Sequence, residues 1–404
     1  NKTSGPCTDK KIYTGKNKRI EYICCEMQGW RDYMEDASIN IANYDKDSSL
    51  FGIFDGHGGP YVSKFVSQNF RELFKECHSK NKQGIENSFI QTFNKLDELL
   101  TTEEVNDFLK TQTQKGQKEM NLNIKKYEEL RARKINFDFV QDSLSYSKTE
   151  PSSLTELSSK SADSTDFTGV KEDSKKNYNS EDKKALKLLS PTQRIRKGKD
   201  LVAFHMGTTA NVLYVEGNYF YVANVGDSYS VMYKNKEAIK LNSEHKTNLQ
   251  SEHERIYSAG LRVMNNRVEG KLNLTRAIGD LCFKTNIQLK PYEQAVTCYP
   301  EIYKYEITED VEFIIMGCDG IWDCVEIQKF CEFISNNLNN KNMPINLLVP
   351  FLLDKLLSKT RDCPIGTDNM TCTLIVFNHK GTNTISSGSK QNTYNSNNID
   401  MNNF

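Results

Sequence analysis

Apolar residues along the chain follow two rhythms. Ile20–Cys25, Ala37–Tyr44 and Leu50–Phe54 are short β-type runs separated by turn residues. After Pro60 the spacing lengthens. Tyr61, Phe65, Phe70, Leu73 and Phe74 fall at helical intervals, and Ile85, Phe89, Phe93, Leu96 and Leu100 repeat them in a second helix. The strand rhythm resumes near Ala203 with Thr208–Val215, Tyr219–Val225 and Tyr229–Tyr233, joined by the turns Glu216-Gly217-Asn218 and Gly226-Asp227-Ser228. A helix at Glu252–Ala259 follows, then strands near Arg262–Val268, Tyr299–Ile307 and Phe313–Met316. Two amphipathic helices, about Val325–Leu338 and Ile345–Lys359, precede a last strand at Met370–Phe377. Tight turns between strands, with helices in pairs rather than one per strand, argue against a parallel α/β sheet. They predict an α+β fold, a four-layer α-β-β-α sandwich of two antiparallel sheets flanked by helix pairs.

Polar stretches mark the boundaries. Residues 1–19 read as a polar lead-in, and 20–380 as one folded domain. From about 101 to 200 the chain turns first to polar, helical sequence and then to a Ser/Lys/Asp/Glu-rich stretch, an insertion expected to be mostly disordered. Within it, Ser190-Pro191 and the basic residues Arg194 to Lys199 read as a solvated linker end or a phosphorylated docking segment. Residues 381–404, rich in Asn and Ser, read as a disordered tail. These segments explain a hydrophobic content of only 37% in 404 residues.

Charge and cysteines narrow the class. Fifty-three basic residues balance fifty-three acids, which gives no support for a nucleic-acid partner or an anionic membrane surface. The eleven cysteines form no CxxC pair, and Cys24, Cys25, Cys318 and Cys372 lie in apolar runs, as buried reduced thiols do. No apolar run is long enough for a transmembrane segment, and no signal peptide is visible. A cytoplasmic or nuclear monomer is expected, with anchoring through residues ahead of Asn1 left open.

The chemistry lies at strand ends. The run Leu50–Phe54 delivers Asp55-Gly56-His57-Gly58-Gly59-Pro60, which sets a carboxylate beside an imidazole where glycines let the backbone turn sharply. Arg31, Glu35 and Asp36 precede the second strand, Asp227 sits in a turn, Asp319 and Asp323 follow Phe313–Met316, and Asp368 opens the last strand. Each acid alone is an ordinary turn or capping residue. If Asp55, Asp319 and Asp368 sit on neighbouring strands, however, their carboxylates converge and repel, and a raised pKa or a bound cation is the remedy. Oxygen ligands select hard Mg²⁺ or Mn²⁺. Four or more acids suit two such ions and a bridging water that ionises near neutral pH. Arg31 is suited to grip a phosphoryl group, and His57 to protonate a departing alkoxide. Together they describe phosphate monoester hydrolysis.

The ordered motifs RDYMEDA, FDGHGG, GTTA, NVGDS, TRAIGD, CDGIWD and TDNMT resemble the metal-dependent serine/threonine protein phosphatases, the type 2C family. The resemblance covers about Ile20 to Phe377 without the insertion, and that family's two antiparallel sheets flanked by helix pairs agree with the pattern above. It implies phosphoserine and phosphothreonine proteins as substrates, a signalling role, and two Mg²⁺ or Mn²⁺ per site. By resemblance Asp55 bridges both ions. Asp319 and Asp368 complete one site, Glu35 and the Gly56 carbonyl serve the other, and Asp36 supports the cluster. Arg31 binds phosphate, and His57 is the general acid. Asp227, Asp319 and Asp323 match a weaker third-metal site, and Asp280 is structural support. By the same resemblance, Leu281 to Tyr299 includes the mobile flap beside the site. Thr247 and Leu261 depart from usual family residues, and the long insertion is the larger departure.

Two rival readings are weighed. Cys25 and Arg31 have the C-x5-R spacing of cysteine-dependent phosphatases, but the spacer holds one glycine and Cys25 lies in a strand-like run, where a thiol is inert. The other rival is a catalytically inactive phosphatase-like module that binds partners through its insertion. The remaining histidines, His78, His205, His245, His253 and His379, read as ordinary surface or core residues, and Trp30 and Trp322 as packing beside the site.

Overall fold

The computed structural model describes residues 5–45, 47–80, 84–116, 118, 200–340 and 343–378. Contacts divide the chain into one unit of Asn1–Lys110 with Ser190–Phe404 and another of Thr111–Leu189. Both sheets and their helix pairs belong to the first.

Two antiparallel sheets carry the fold. The larger contains β1 (Cys7–Lys16), β2 (Ile20–Gly29), β9 (Tyr229–Lys234), β10 (Glu237–Lys240), β15 (Val311–Gly317) and β16 (Met370–Phe377), in the order β1-β2-β16-β15-β9-β10. The smaller contains β3 (Ala37–Asp45), β4 (Ser48–Phe54), β7 (Ala210–Glu216), β8 (Tyr219–Val225) and β14 (Glu301–Glu306), in the order β14-β8-β7-β4-β3. Two-residue alternation divides the faces of the smaller sheet. Phe51, Ile53, Leu213, Val215, Phe220 and Val222 join the core shared with the larger sheet. Leu50, Phe54, Val212, Tyr214, Tyr221 and Ala223 point the other way, onto α1 (Tyr61–Lys80) and α2 (Ile85–Leu99). Every residue of β4 is therefore buried.

The helix pair is fixed by aromatic packing. Phe70 and Phe74 of α1 meet Phe89 and Phe93 of α2, with ring centroids 4.5 Å apart for Phe74–Phe89 and 5.5 Å for Phe70–Phe93. Burying each ring is worth about 1.5–3 kcal/mol. This packing anchors the start of α1 and with it the loop Asp55–Pro60. A second pair, α6 (Ile327–Asn340) and α7 (Ile345–Leu356), covers the larger sheet with Phe330, Ile334, Leu348 and Leu352. The result is the expected four-layer sandwich. Other helices are α3 (residues 103–116), α4 (Gln250–Ser258) and the single turn α5 (Asp319–Trp322).

Several expectations need correction. Residues 7–16 are not a loose lead-in but the edge strand β1, paired with β2 from Cys7 to Lys16 with a bulge between Cys7 and Lys10. Its residues are mostly exposed, so no apolar alternation announces it, and backbone bonds and the 2.5 Å Lys10–Asp354 ion pair hold it. The strand expected near Arg262–Val268 is a hairpin, β11 (Val263–Met264) and β12 (Arg267–Val268), because Asn265 and Asn266 both take positive φ. A similar turn at Asn235 and Lys236 adds β10, whose sequence EAIK is half polar. The polar start of the insertion is helical over residues 103–116, as expected. The Ser/Lys/Asp/Glu-rich remainder, the Ser190-Pro191 segment and the tail from 381 lie outside the described residues. No helix among the described residues is long and apolar enough to cross a membrane.

Candidate active site

β4 delivers Asp55, whose N–H donates to Thr209 Oγ1 at 3.0 Å and whose carbonyl accepts the Thr209 N–H at 2.8 Å. Three two-residue strands continue from there, β5 (Gly56–His57), β6 (Gly207–Thr208) and β13 (Ile278–Gly279), in the order β13-β6-β5. Glycine is required at position 56, where a β-carbon would run into the Glu35 carbonyl oxygen and come within 2.7 Å of Ser63 Oγ.

Acids do converge, but not by the neighbouring strands expected: Asp319 and Asp368 flank β15 and β16 of the larger sheet, whereas Asp55 leaves β4 of the smaller one. Carboxylate oxygens of Asp55, Asp227 and Asp319 lie within 4.8 Å of one another, and so do ligand atoms of Asp36, Asp55 and Cys318. Burial and then the neighbouring carboxylates push the Asp55 carboxyl well up. Burial raises Asp36 to about 7, against the hydrogen bond from Thr371 Oγ1 at 2.7 Å. Burial and the charge of Asp227 raise Asp319 to about 7. Such a set is unfavourable unless protons or cations neutralise it, and oxygen donors at this spacing fit a hard divalent ion. Cys318 is a different kind of neighbour. Burial, Asp36 and Asp55 raise its thiol, which donates to the Asn369 carbonyl at 3.4 Å and accepts the Thr371 N–H at 3.3 Å.

Around the cluster lie its counter-charges. Lys246 donates to Asp227, and Arg31 pairs with Asp368 while staying 53% exposed. The Glu35 carboxyl is raised by burial and accepts the Gly59 N–H. Asn369 organises this loop: its Oδ1 takes the Glu35 N–H at 2.9 Å, and its Nδ2 donates to the carbonyls of Gln28 and Tyr33 at 2.8 and 3.0 Å. Asp323 lies close enough for Asp227 to raise its carboxyl, after burial and against Lys246, but it does not join the group of three.

His57 has its own partner. Its Nε2 lies 2.6 Å from Asp280 Oδ2, and the pair packs against Gly207, where a β-carbon would overlap Asp280 and sit 2.9 Å from Nε2. Burial opposes protonation of His57, yet the charge and hydrogen bond of Asp280 outweigh it, and the net shift is upward. The segment Leu281 to Tyr299 carries two 3₁₀ turns and is closed by Gln294, whose amide donates to the Asn286 carbonyl at 2.7 Å. A groove of about 530 Å³, lined by Lys240, Glu244, Lys246, Tyr303 and Tyr305 among others, opens on the Lys246 side.

The structure thus brings Asp36, Asp55, Asp227 and Asp319 together, sets Arg31 against Asp368, and leaves Asp323 at the margin. Sequence reasoning missed the contacts of Lys246, Asn369 and Cys318 and the pairing of Asp280 with His57. Neighbouring motif residues were the signal: Asn369 follows Asp368, Cys318 precedes Asp319, and Asp280 closes TRAIGD. The cysteine-dependent rival fails on geometry. Cys25 is fully buried in β2 beside Cys372, and burial pushes its thiol to about 12, far from a reactive thiolate.

Comparison with known proteins agrees. A family model described as Protein phosphatase 2C matches residues 20–117 and 106–361. The chain is 32% identical over 377 residues to "Probable protein phosphatase 2C 4" of Paramecium tetraurelia, covering 93% of this chain and 97% of that protein. It is also 32% identical to "Probable protein phosphatase 2C 60" of Arabidopsis thaliana, over 93% of this chain and 91% of that one. A phosphatase from a pathogenic strain of Toxoplasma gondii shares the fold with a TM-score of 0.58 at 15% identity, covering 93% of this chain and 98% of its own. A serine-threonine phosphatase 2C from Toxoplasma gondii does so at 0.56 and 13% identity, over 92% and 99%. With its sheets, its acid cluster and these full-length similarities, the chain belongs to the protein phosphatase 2C family, the metal-dependent serine/threonine protein phosphatases.

Proposed function

We propose that this metal-dependent protein phosphatase hydrolyses phosphoserine and phosphothreonine in its protein substrates at a site for two Mg²⁺ or Mn²⁺ ions centred on Asp55. The grouping of Asp55, Asp227 and Asp319 within 4.8 Å is the observation that carries this reading. Asp55 would serve both ions, Asp319 and Asp368 would hold one, and Glu35 with the Gly56 carbonyl would hold the other. Asp36, held by Thr371, would support the cluster, and Asp227, Asp319 and Asp323 would offer a weaker third position. When bound, the ions supply acidified water and neutralise phosphoryl charge.

The chain's own residues do the rest. Arg31, half-exposed on Asp368, exchanges that partner for two phosphoryl oxygens, which its planar fork fits in parallel. His57 keeps Nε2 on Asp280 and delivers a proton from Nδ1 to the departing seryl or threonyl oxygen. Asp280 holds the ring orientation and favours the charged imidazolium between turnovers. No acid of the expected set is missing, and nothing favours the reading of an inactive module.

Calorimetric titration with Mn²⁺ tests the site. Two tight sites per chain are expected beside any weaker third, and Asp55→Asn should abolish both tight ones. A single site, or two sites that survive the substitution, would contradict the reading.

A further inference from the structure

Asp280 occupies a conformation it does not hold by itself. Its φ is +49° and that of Gly279 is +87°, two consecutive left-handed residues. Left-handed backbone is disfavoured for residues with a β-carbon, and although Asp tolerates it better than most, neighbours must hold it there. One restraint comes from the residue just ahead of β6, where the Asp280 N–H donates to the Met206 carbonyl at 3.0 Å.

A second comes from α2. Asp97 Oδ1 accepts the Gly279 N–H at 2.8 Å and also Lys284 Nζ at 2.7 Å. Lys284 is only 4% exposed, and the same Nζ donates to the Ala277 carbonyl at 2.8 Å. One carboxylate oxygen therefore ties down the residue before Asp280 and a lysine four residues beyond it. The nearby Cys298 adds no charge, since burial and Asp97 raise its thiol, which donates to Asn94 Oδ1 at 3.4 Å. Phe89, Phe93 and Leu96 of α2 are fully buried, so the helix is a rigid support for this contact.

We propose that Asp97 and Lys284 form a latch that positions Asp280, and through it His57, for protonation of the leaving group. Neither touches the reacting atoms; both are positioning residues. The proposal rests on His57 being the general acid, so its test separates the two ideas.

Asp97→Asn, Lys284→Gln and His57→Ala are each assayed at saturating Mn²⁺ on a phosphothreonine peptide and on p-nitrophenyl phosphate. The threonyl oxygen needs a proton to depart, whereas nitrophenolate leaves without one. General acid catalysis is worth about 10²–10⁴-fold, so a misplaced acid should lower kcat on the peptide by about 10-fold or more. On the aryl ester kcat should change by less than about 2-fold, with KM little altered on either substrate, as expected when only transition-state protonation is lost. Asp97→Asn keeps an acceptor for Gly279, and Lys284→Gln leaves the Asp97 carboxylate in place, so the two variants perturb folding differently. Thermal unfolding accompanies each assay. Equal losses on both substrates, or no loss on either, would overturn the latch. Discrimination by His57→Ala without discrimination by the latch variants would overturn the latch alone. An absence of discrimination in His57→Ala would overturn the general-acid reading and the latch with it.

Discussion

Lys246 Nζ donates to Asp227 Oδ2, so the cluster of buried acids carries a cation of its own before any metal arrives. Asp227 is 3% exposed, and removing its partner would leave a buried carboxylate unpaired. Lys246→Met should therefore lower the thermal midpoint in EDTA by a few degrees, a loss on the order of 1–2 kcal/mol. Saturating Mn²⁺ should shrink the deficit, because a metal on Asp227 replaces the lost ammonium. A deficit of equal size in EDTA and in Mn²⁺ would refute the exchange of one cation for another.

Gly207 is the floor beneath His57 and Asp280. A methyl group there would overlap the Asp280 carboxylate and separate it from the imidazole. Gly207→Ala should reduce turnover of a phosphothreonine peptide by about 100-fold, the scale of general acid catalysis. Circular dichroism should show a retained fold. Turnover within a few fold of wild type would contradict the assigned close packing.

Glu252 gives a pH dependence with a definite sign. Burial works against its ionisation, but hydrogen bonds from Arg255 and Arg276 outweigh that and hold the carboxyl at about 2, below its usual 4.5. Because the folded value is the lower one, the stabilisation is present above the unfolded pKa and fades as pH falls from about 4.5 towards 2. Its size is on the order of 3 kcal/mol. Urea unfolding of wild type and Glu252→Gln should show the largest gap at pH 7 and a narrowing one below pH 4.5. A gap independent of pH would rule this out.

How much was legible in the sequence depended on whether a residue's partner was local. The strands β2, β4, β8 and β16 were visible because their apolar residues are buried and their turns are glycine-marked. The edge strand β1 was not, since its pairing rests on backbone bonds that leave no side-chain pattern. The acids at strand ends were readable as candidates. Their convergence needed β15 and β16 to be neighbours in one sheet and β3 and β4 in the other, and pairing between strands distant in sequence is not encoded in any single stretch. The same limit hid Lys246 from Asp227, nineteen positions earlier, and Asp280 from His57, which is 223 positions away.

If catalysis runs through the acids around Asp55 with bound hard cations, no cysteine nucleophile is needed. Phosphate release from a phosphothreonine peptide, measured with Mn²⁺ or Mg²⁺ and then with EDTA, tests it most directly when Asp55→Asn is assayed alongside and the thiols are alkylated in a parallel sample. Turnover should require the metal, collapse in Asp55→Asn and survive alkylation. Activity that persists in EDTA and disappears on alkylation would contradict it.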